Sequence, residues 1–140
     1  GGLGIAAGAD IVIATERTRM AMPEARIGFF PDVGATGWLF LRCPEGYPEY
    51  LGLTGYEMKG KECVRLGLAT HYAESEDMEP IISLLENYQH AANSKVKNED
   101  ILKIIAAYLK ENIPVNREMD EWVKNYFAGK GDLKEIIDAL

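Results

Sequence analysis

Up to about residue 77 the apolar positions come in short runs broken by Gly and Pro, whereas from Met78 onward they recur every three or four residues. The first pattern predicts the short strands and turns of an α/β unit, the second a set of amphipathic helices. Residues 1–10, GGLGIAAGAD, are small and spaced as a helix. That composition predicts a buried helix, packed close to another backbone or presenting its first amides to a ligand. Residues 11–14, IVIA, form a continuous apolar run suited to a buried strand of the parallel type, and residues 18–22 predict a second strand that Pro23 ends. A single turn is expected at 25–28. A longer helix follows from Val33 to Leu41, with Asp32 at its N-cap. Further helices are expected at 49–53 and 59–67, the latter closed by Gly67, with an extended edge at 68–72.

In the helical half, Ile81, Ile82, Leu84, Leu85 and Tyr88 make one stripe, and Ile101, Ile104, Ile105, Tyr108 and Leu109 make the next. Asn98 is expected to cap the second of these, with Glu99 and Asp100 set favourably in its first turn. Met119, Trp122, Val123, Tyr126 and Phe127 form an aromatic core stripe. Asp132 and Glu135 have the spacing of a capping box on a closing helix. The polar stretch 91–98 is the expected boundary, dividing an α/β part at 1–77 from a helical region at 78–140.

Composition narrows the partners. The chain has 140 residues, 47% of them apolar and 26% charged, which is ordinary for a globular domain. A net charge of −7 argues against nucleic acid and anionic membrane surfaces, since both require clustered Lys and Arg. Small-molecule or protein partners are expected instead. Cys43 and Cys63 form no CxxC pair, and His71 has no second ligand at metal spacing. Neither a disulfide framework nor a metal site is predicted, and a reduced, intracellular setting is expected. No apolar run reaches the roughly 18 residues needed to span a bilayer. The chain starts inside a glycine-rich motif, so it is expected to be an interior piece of a longer protein.

The candidate chemistry lies in residues 19–38, RMAMPEARIGFFPDVGATGW. Glu24 and Asp32 each follow a proline and precede a helical pattern, and taken singly each is explained as a turn or cap residue. Together they suggest more. A chain folding back between Pro23 and Pro31 brings both carboxylates to one cleft, where Gly34 and Gly37 let the backbone approach a ligand.

The segments GGLGIAAGADIVIATE, AMPEARIGFFPDVGATGWL and LTGYEMKGKECVRLGLATHY, in that order, resemble the enoyl-CoA hydratase/isomerase (crotonase) superfamily. Within it the similarity is closest to the branch that hydrolyses 3-hydroxyisobutyryl-CoA. The resemblance implies part of the crotonase (ClpP/crotonase-like) spiral α/β fold with a helical C-terminal portion, and a thioesterase of valine breakdown needing no cofactor beyond the CoA of its substrate. It implies that Glu24 attacks the thioester carbonyl, or activates water as a general base, and that Asp32 orients the substrate's β-hydroxyl or the water. The Gly1 amide is implied as one oxyanion-hole donor. Gly4 stands where hydratases of the family carry an acid, which points away from hydration. The expected partners are the acyl-CoA, the remainder of the same fold and a second copy of the chain. Arg17, Arg19, Arg26, Lys59 and Lys61 are available for the phosphates of CoA. The expected location is cytoplasmic, or the mitochondrial matrix in a eukaryote. Two alternatives stay open: a hydratase or isomerase using Glu24 alone, and a non-catalytic piece that is inactive without the rest of its fold.

Overall fold

Thr70 ties the first strand pair together, its hydroxyl accepting from Val12 N–H at 2.8 Å and donating to the Val12 carbonyl at 3.0 Å. In this computed structural model, which describes residues 2–91 and 96–140, helix α1 (Gly2–Ala7) leads to β1 (Ile13–Ala14) and β2 (Arg19–Met20). A 3-10 turn at Pro23–Ile27 and helices α2 (Ala35–Arg42) and α3 (Tyr47–Thr54) follow. Next come β3 (Met58–Lys59), α4 (Lys61–Arg65), β4 (His71–Tyr72) and a second 3-10 turn at Ser75–Asp77. The helical half holds α5 (Met78–Ala91), α6 (Asn98–Ile105) with a 3-10 extension at Ala106–Tyr108, α7 (Arg117–Phe127) and α8 (Leu133–Ala139). The apolar run at 11–14 forms the expected parallel pairing, Ile13 opposite His71 and Ala14 opposite Tyr72. β2 pairs antiparallel with β3, Met20 opposite Met58.

The main core gathers Ala14, Leu39, Tyr47, Leu51, Met58, Cys63 and Leu66 with Val123, Phe127 and Ile136, so α7 and α8 pack on the α/β part across residue 78. A smaller cluster, Ala73, Ile81 and Ile105, holds α5 to α6. One polar network reinforces the first. Tyr47 donates to Asp120 Oδ1 at 2.6 Å, and the Arg65 guanidinium pairs with the same carboxylate, linking α3 and α4 to α7.

Three expectations are corrected. Helix α1 is not a buried helix: Ala7 alone among its residues is buried, and Ile5 is 81% exposed. Its small residues allow close approach on one face only. Asp32 does not cap α2, which starts at Ala35 behind Gly34 in a left-handed conformation (φ 73°) that leaves no side-chain cap. Asn98 is the first residue of α6 and Lys97 the cap position, again without a side-chain bond. The cap predicted at Asp132 forms, its Oδ1 accepting from Glu135 N–H at 2.9 Å, while Glu135 reaches back to Gly131 N–H at 2.7 Å. The expected boundary at 91–98 includes residues 92–95, which lie outside the described residues.

Burial sets the chemistry of the two cysteines. It pushes the Cys43 thiol up to about 12, against the pull of Arg42, and the Cys63 thiol up to about 11. A group whose folded pKa exceeds its unfolded one stabilises fully below the unfolded value, here 9.0, and loses that contribution as pH rises towards 11–12. Both thiols are therefore expected to escape iodoacetamide at pH 8 until denaturant is added, and the urea midpoint is expected to fall above pH 9. Peptide mapping showing either cysteine labelled at native pH 8 would contradict this.

Candidate active site

Glu24 is positioned by what precedes and underlies it. Pro23 takes the first position of the 3-10 turn, where its missing N–H costs nothing, and Gly28 ends the turn in a left-handed conformation. The Glu24 carbonyl accepts from Phe29 N–H at 3.0 Å, closing the turn. The turn rests on the C-terminal end of α3. There Gly55 is left-handed (φ 63°), a conformation that favours glycine, and a Cβ on it would stand 3.1 Å from Pro23 Cα, tight enough to push the two backbones slightly apart. Arg26 Nε donates to the Thr54 carbonyl at 3.4 Å across the same contact.

The Glu24 side chain lines a cavity of about 450 Å³, within the range of small-ligand sites. One wall comes from α1 through Gly2, Leu3, Gly4 and Ala6, another from Thr18 to Pro23, and Val33 completes it. Among the described residues Glu24 is the one acid in this lining, and its Oε2 is buried without a hydrogen-bond partner. An unpaired buried oxygen typically costs about 1–3 kcal/mol; Glu49 Oε2 is in the same state at another hollow, so it is the position of Glu24 in this cavity that singles it out.

Asp32 is not brought to this cavity with Glu24. It is exposed, one residue before Val33, and its carbonyl accepts from Ala35 N–H at 2.9 Å. The reason is the local backbone: Val33 has φ 47° and Gly34 φ 73°, and this double left-handed turn places the side chain of residue 33 at the cavity. For a β-branched residue such a φ is an outlier costing of order 1–3 kcal/mol. Trp38 Nε1 holds the turn by donating to the Val33 carbonyl at 3.0 Å. Gly1 lies outside the described residues.

The five candidate phosphate-binding cations separate. Arg17, Arg19 and Lys59 line a hollow that shares Thr18 and Arg19 with the cavity, and Glu57 pairs with Arg19 at 2.7 Å and Lys59 at 3.6 Å. Lys61 sits 5.0 Å from the centre of the Tyr72 ring, and Arg26 is turned to Thr54. His71 Nδ1 lies 2.8 Å from Thr70 Oγ1, consistent with a structural role. Among the described residues no group of three His, Cys, Asp or Glu is arranged to hold a metal, and no helix is long and apolar enough to cross a membrane.

Two features escaped sequence reasoning. Val33 lacks polar chemistry, and the rule that β-branched residues avoid positive φ predicts against its conformation. Arg42, in the last turn of α2, donates to the Ala7 carbonyl at 2.5 Å and the Ala9 carbonyl at 3.3 Å, fixing the end of the helix that walls the cavity. The basic residue beside Cys43 was visible, but not its target.

Comparison with known proteins shows the family and the fold. The model of the enoyl-CoA hydratase/isomerase family matches residues 1–140. Mitochondrial 3-hydroxyisobutyryl-CoA hydrolase from Danio rerio is 32% identical over 146 residues, covering all of this chain and 36% of that protein. Small ribosomal subunit protein mS47 from Neurospora crassa is 48% identical over 85 residues, covering 61% of this chain and 16% of that one. The crystal structure of a carnitinyl-CoA dehydratase from Mycobacterium thermoresistibile superposes with a TM-score of 0.78 at 27% identity, over 99% of this chain and 37% of that chain. The chain thus spans about a third of the length of the full-length hydrolase it matches.

Proposed function

The chain belongs to the enoyl-CoA hydratase/isomerase (crotonase) family, and from that premise we propose that the full-length protein is an acyl-CoA thioester hydrolase acting on 3-hydroxyisobutyryl-CoA in valine breakdown. Its fold is a partial crotonase fold, rich in helix with few strands. The observation that carries the reading is the place of Glu24 in the cavity wall, where it is the one acid among the described residues of the lining. The hydrolase relative, matched along the whole chain, supports it.

A thioester carbonyl is electrophilic and its thiolate leaves readily, so one well-placed carboxylate suffices as nucleophile. Glu24 attacks the carbonyl carbon, the carbon–sulfur bond breaks, and CoA departs as thiolate. Water then hydrolyses the mixed anhydride to the free acid and regenerates Glu24; general-base activation of water by Glu24 is the variant. The Gly1 amide serves as one oxyanion donor, with the second supplied from the rest of the protein. Asp32 stands exposed outside the cavity lining, and its part, orienting the β-hydroxyl or the hydrolytic water, is proposed from the family resemblance and not from its position here. Arg17, Arg19 and Lys59 receive the phosphates, in competition with Glu57. The reaction needs no cofactor beyond the CoA of its substrate, and the expected location is the cytoplasm, or the mitochondrial matrix in a eukaryote, the Danio rerio relative being mitochondrial.

The test is thiol release from 3-hydroxyisobutyryl-CoA by the full-length protein. In that assay Asp32→Asn is expected to lower kcat about 10²-fold, the low end of general acid–base effects, with KM changed only a few-fold. An Asp32→Asn enzyme with undiminished kcat would remove Asp32 from the mechanism. The likeness to mS47 favours a second, non-catalytic reading in which the region serves only as a structural module. Absence of thiol release from the folded full-length protein would support that instead.

A further inference from the structure

Gly4 and Val33 meet at the wall of the Glu24 cavity. A Cβ built on Gly4 would lie 2.5 Å from Val33 Cγ2 and 2.8 Å from Val33 Cβ. The second distance matters most, because Cβ is fixed to the backbone and a β-branched side chain has little rotamer freedom with which to retreat. Val33 itself is held in place. Its φ of 47° is followed by Gly34 at 73°, Asp32 and Ala35 close the turn by a backbone bond of 2.9 Å, and Trp38 clamps the Val33 carbonyl. Position 4 has no special φ of its own and sits within α1, where alanine would normally be the better helix former. The glycine is therefore explained by Val33, and the strain at Val33 by the place its side chain takes.

From this interlock we infer that Val33 is the specificity-determining residue of the acyl site. Its two methyl groups fill the space beside Gly4 and give the cavity an apolar wall that limits it to short acyl groups. The inference rests on the thioesterase reading for its substrate and on the Gly4–Val33 contact for its geometry. The same wall leaves no room for a side chain at position 4, so Glu24 stays the one acid among the described residues of the lining.

Two measurements on the full-length protein test it. Val33→Ala is expected to raise the ratio of kcat/KM for a straight six-carbon 3-hydroxyacyl-CoA over that for 3-hydroxyisobutyryl-CoA about tenfold, the scale on which apolar pockets discriminate a methylene or two. Gly4→Ala is expected to lower Tm when Val33 is present and to raise it in a Val33→Gly background, a change of sign that only their mutual contact produces. An unchanged ratio in a Val33→Ala enzyme that releases thiol normally would overturn the specificity claim alone. A Gly4→Ala effect of the same sign in both backgrounds would overturn the interlock. A wild-type protein that releases no thiol from either substrate would overturn the thioesterase reading and the acyl claim with it, while the Tm comparison would still decide the contact.

Discussion

Glu24→Gln in the full-length protein is expected to reduce hydrolysis of 3-hydroxyisobutyryl-CoA by roughly 10³-fold, with the folded state retained. The substitution is nearly isosteric and removes only the charge and nucleophilicity of the carboxylate. Among the described residues no second acid lines the cavity to take over, and a positioned acid or base contributes about 10²–10⁴-fold, so a loss near the middle of that range is expected. Stability is expected to hold because Glu24 Oε2 makes no hydrogen bond that the amide would break. If kcat/KM fell while KM alone rose, Glu24 would be a binding residue. If activity were unaffected, the mechanism would need another nucleophile. Measuring kcat and KM together with the thermal midpoint separates these outcomes from simple unfolding.

The second large effect is expected far from the carboxylate. Gly67→Ala should destabilise the protein by roughly 2–5 kcal/mol, adding the cost of a left-handed alanine to that of overpacking. Gly67 has φ 80°, and a Cβ there would run into the Arg42 carbonyl oxygen well inside contact distance. That obstacle is backbone and cannot rotate away. Relieving it moves Arg42, whose guanidinium closes the end of α1 through the Ala7 and Ala9 carbonyls, so the damage extends to the wall of the Glu24 cavity. Urea unfolding measures the loss, and kcat/KM below the unfolding midpoint reports the displaced wall. A midpoint equal to wild type would show that the close approach at Gly67 is not maintained in solution.

What the sequence made legible depended on how local the cause is. The parallel strand at 13–14 was readable because a continuous apolar run has few other uses, and Gly67 because a helix end calls for a left-handed residue. Caps were less secure. Asp132 reaches the amide of Glu135 as its spacing suggests, yet Asp32 and Asn98 do not cap, since a cap also needs its residue extended at the right step of the chain. A difference of one or two residues in where a helix starts is invisible to residue type. The Glu24 segment was recognisable from its proline, its turn and its family resemblance, but the solitary state of its carboxylate depends on α1, the segment from Thr18 to Pro23 and Val33 coming together. Val33 was unreadable because its backbone violates the preference from which a reading must start.

The central claim is that Glu24 works on the thioester carbonyl and not on the β-carbon. The most direct test gives the full-length protein 3-hydroxyisobutyryl-CoA and crotonyl-CoA in parallel, following free thiol with a disulfide chromophore and the enoyl group by its ultraviolet absorbance. Thiol release from the first and no loss of enoyl absorbance from the second are expected. Hydration of crotonyl-CoA without release of CoA from 3-hydroxyisobutyryl-CoA would contradict that claim.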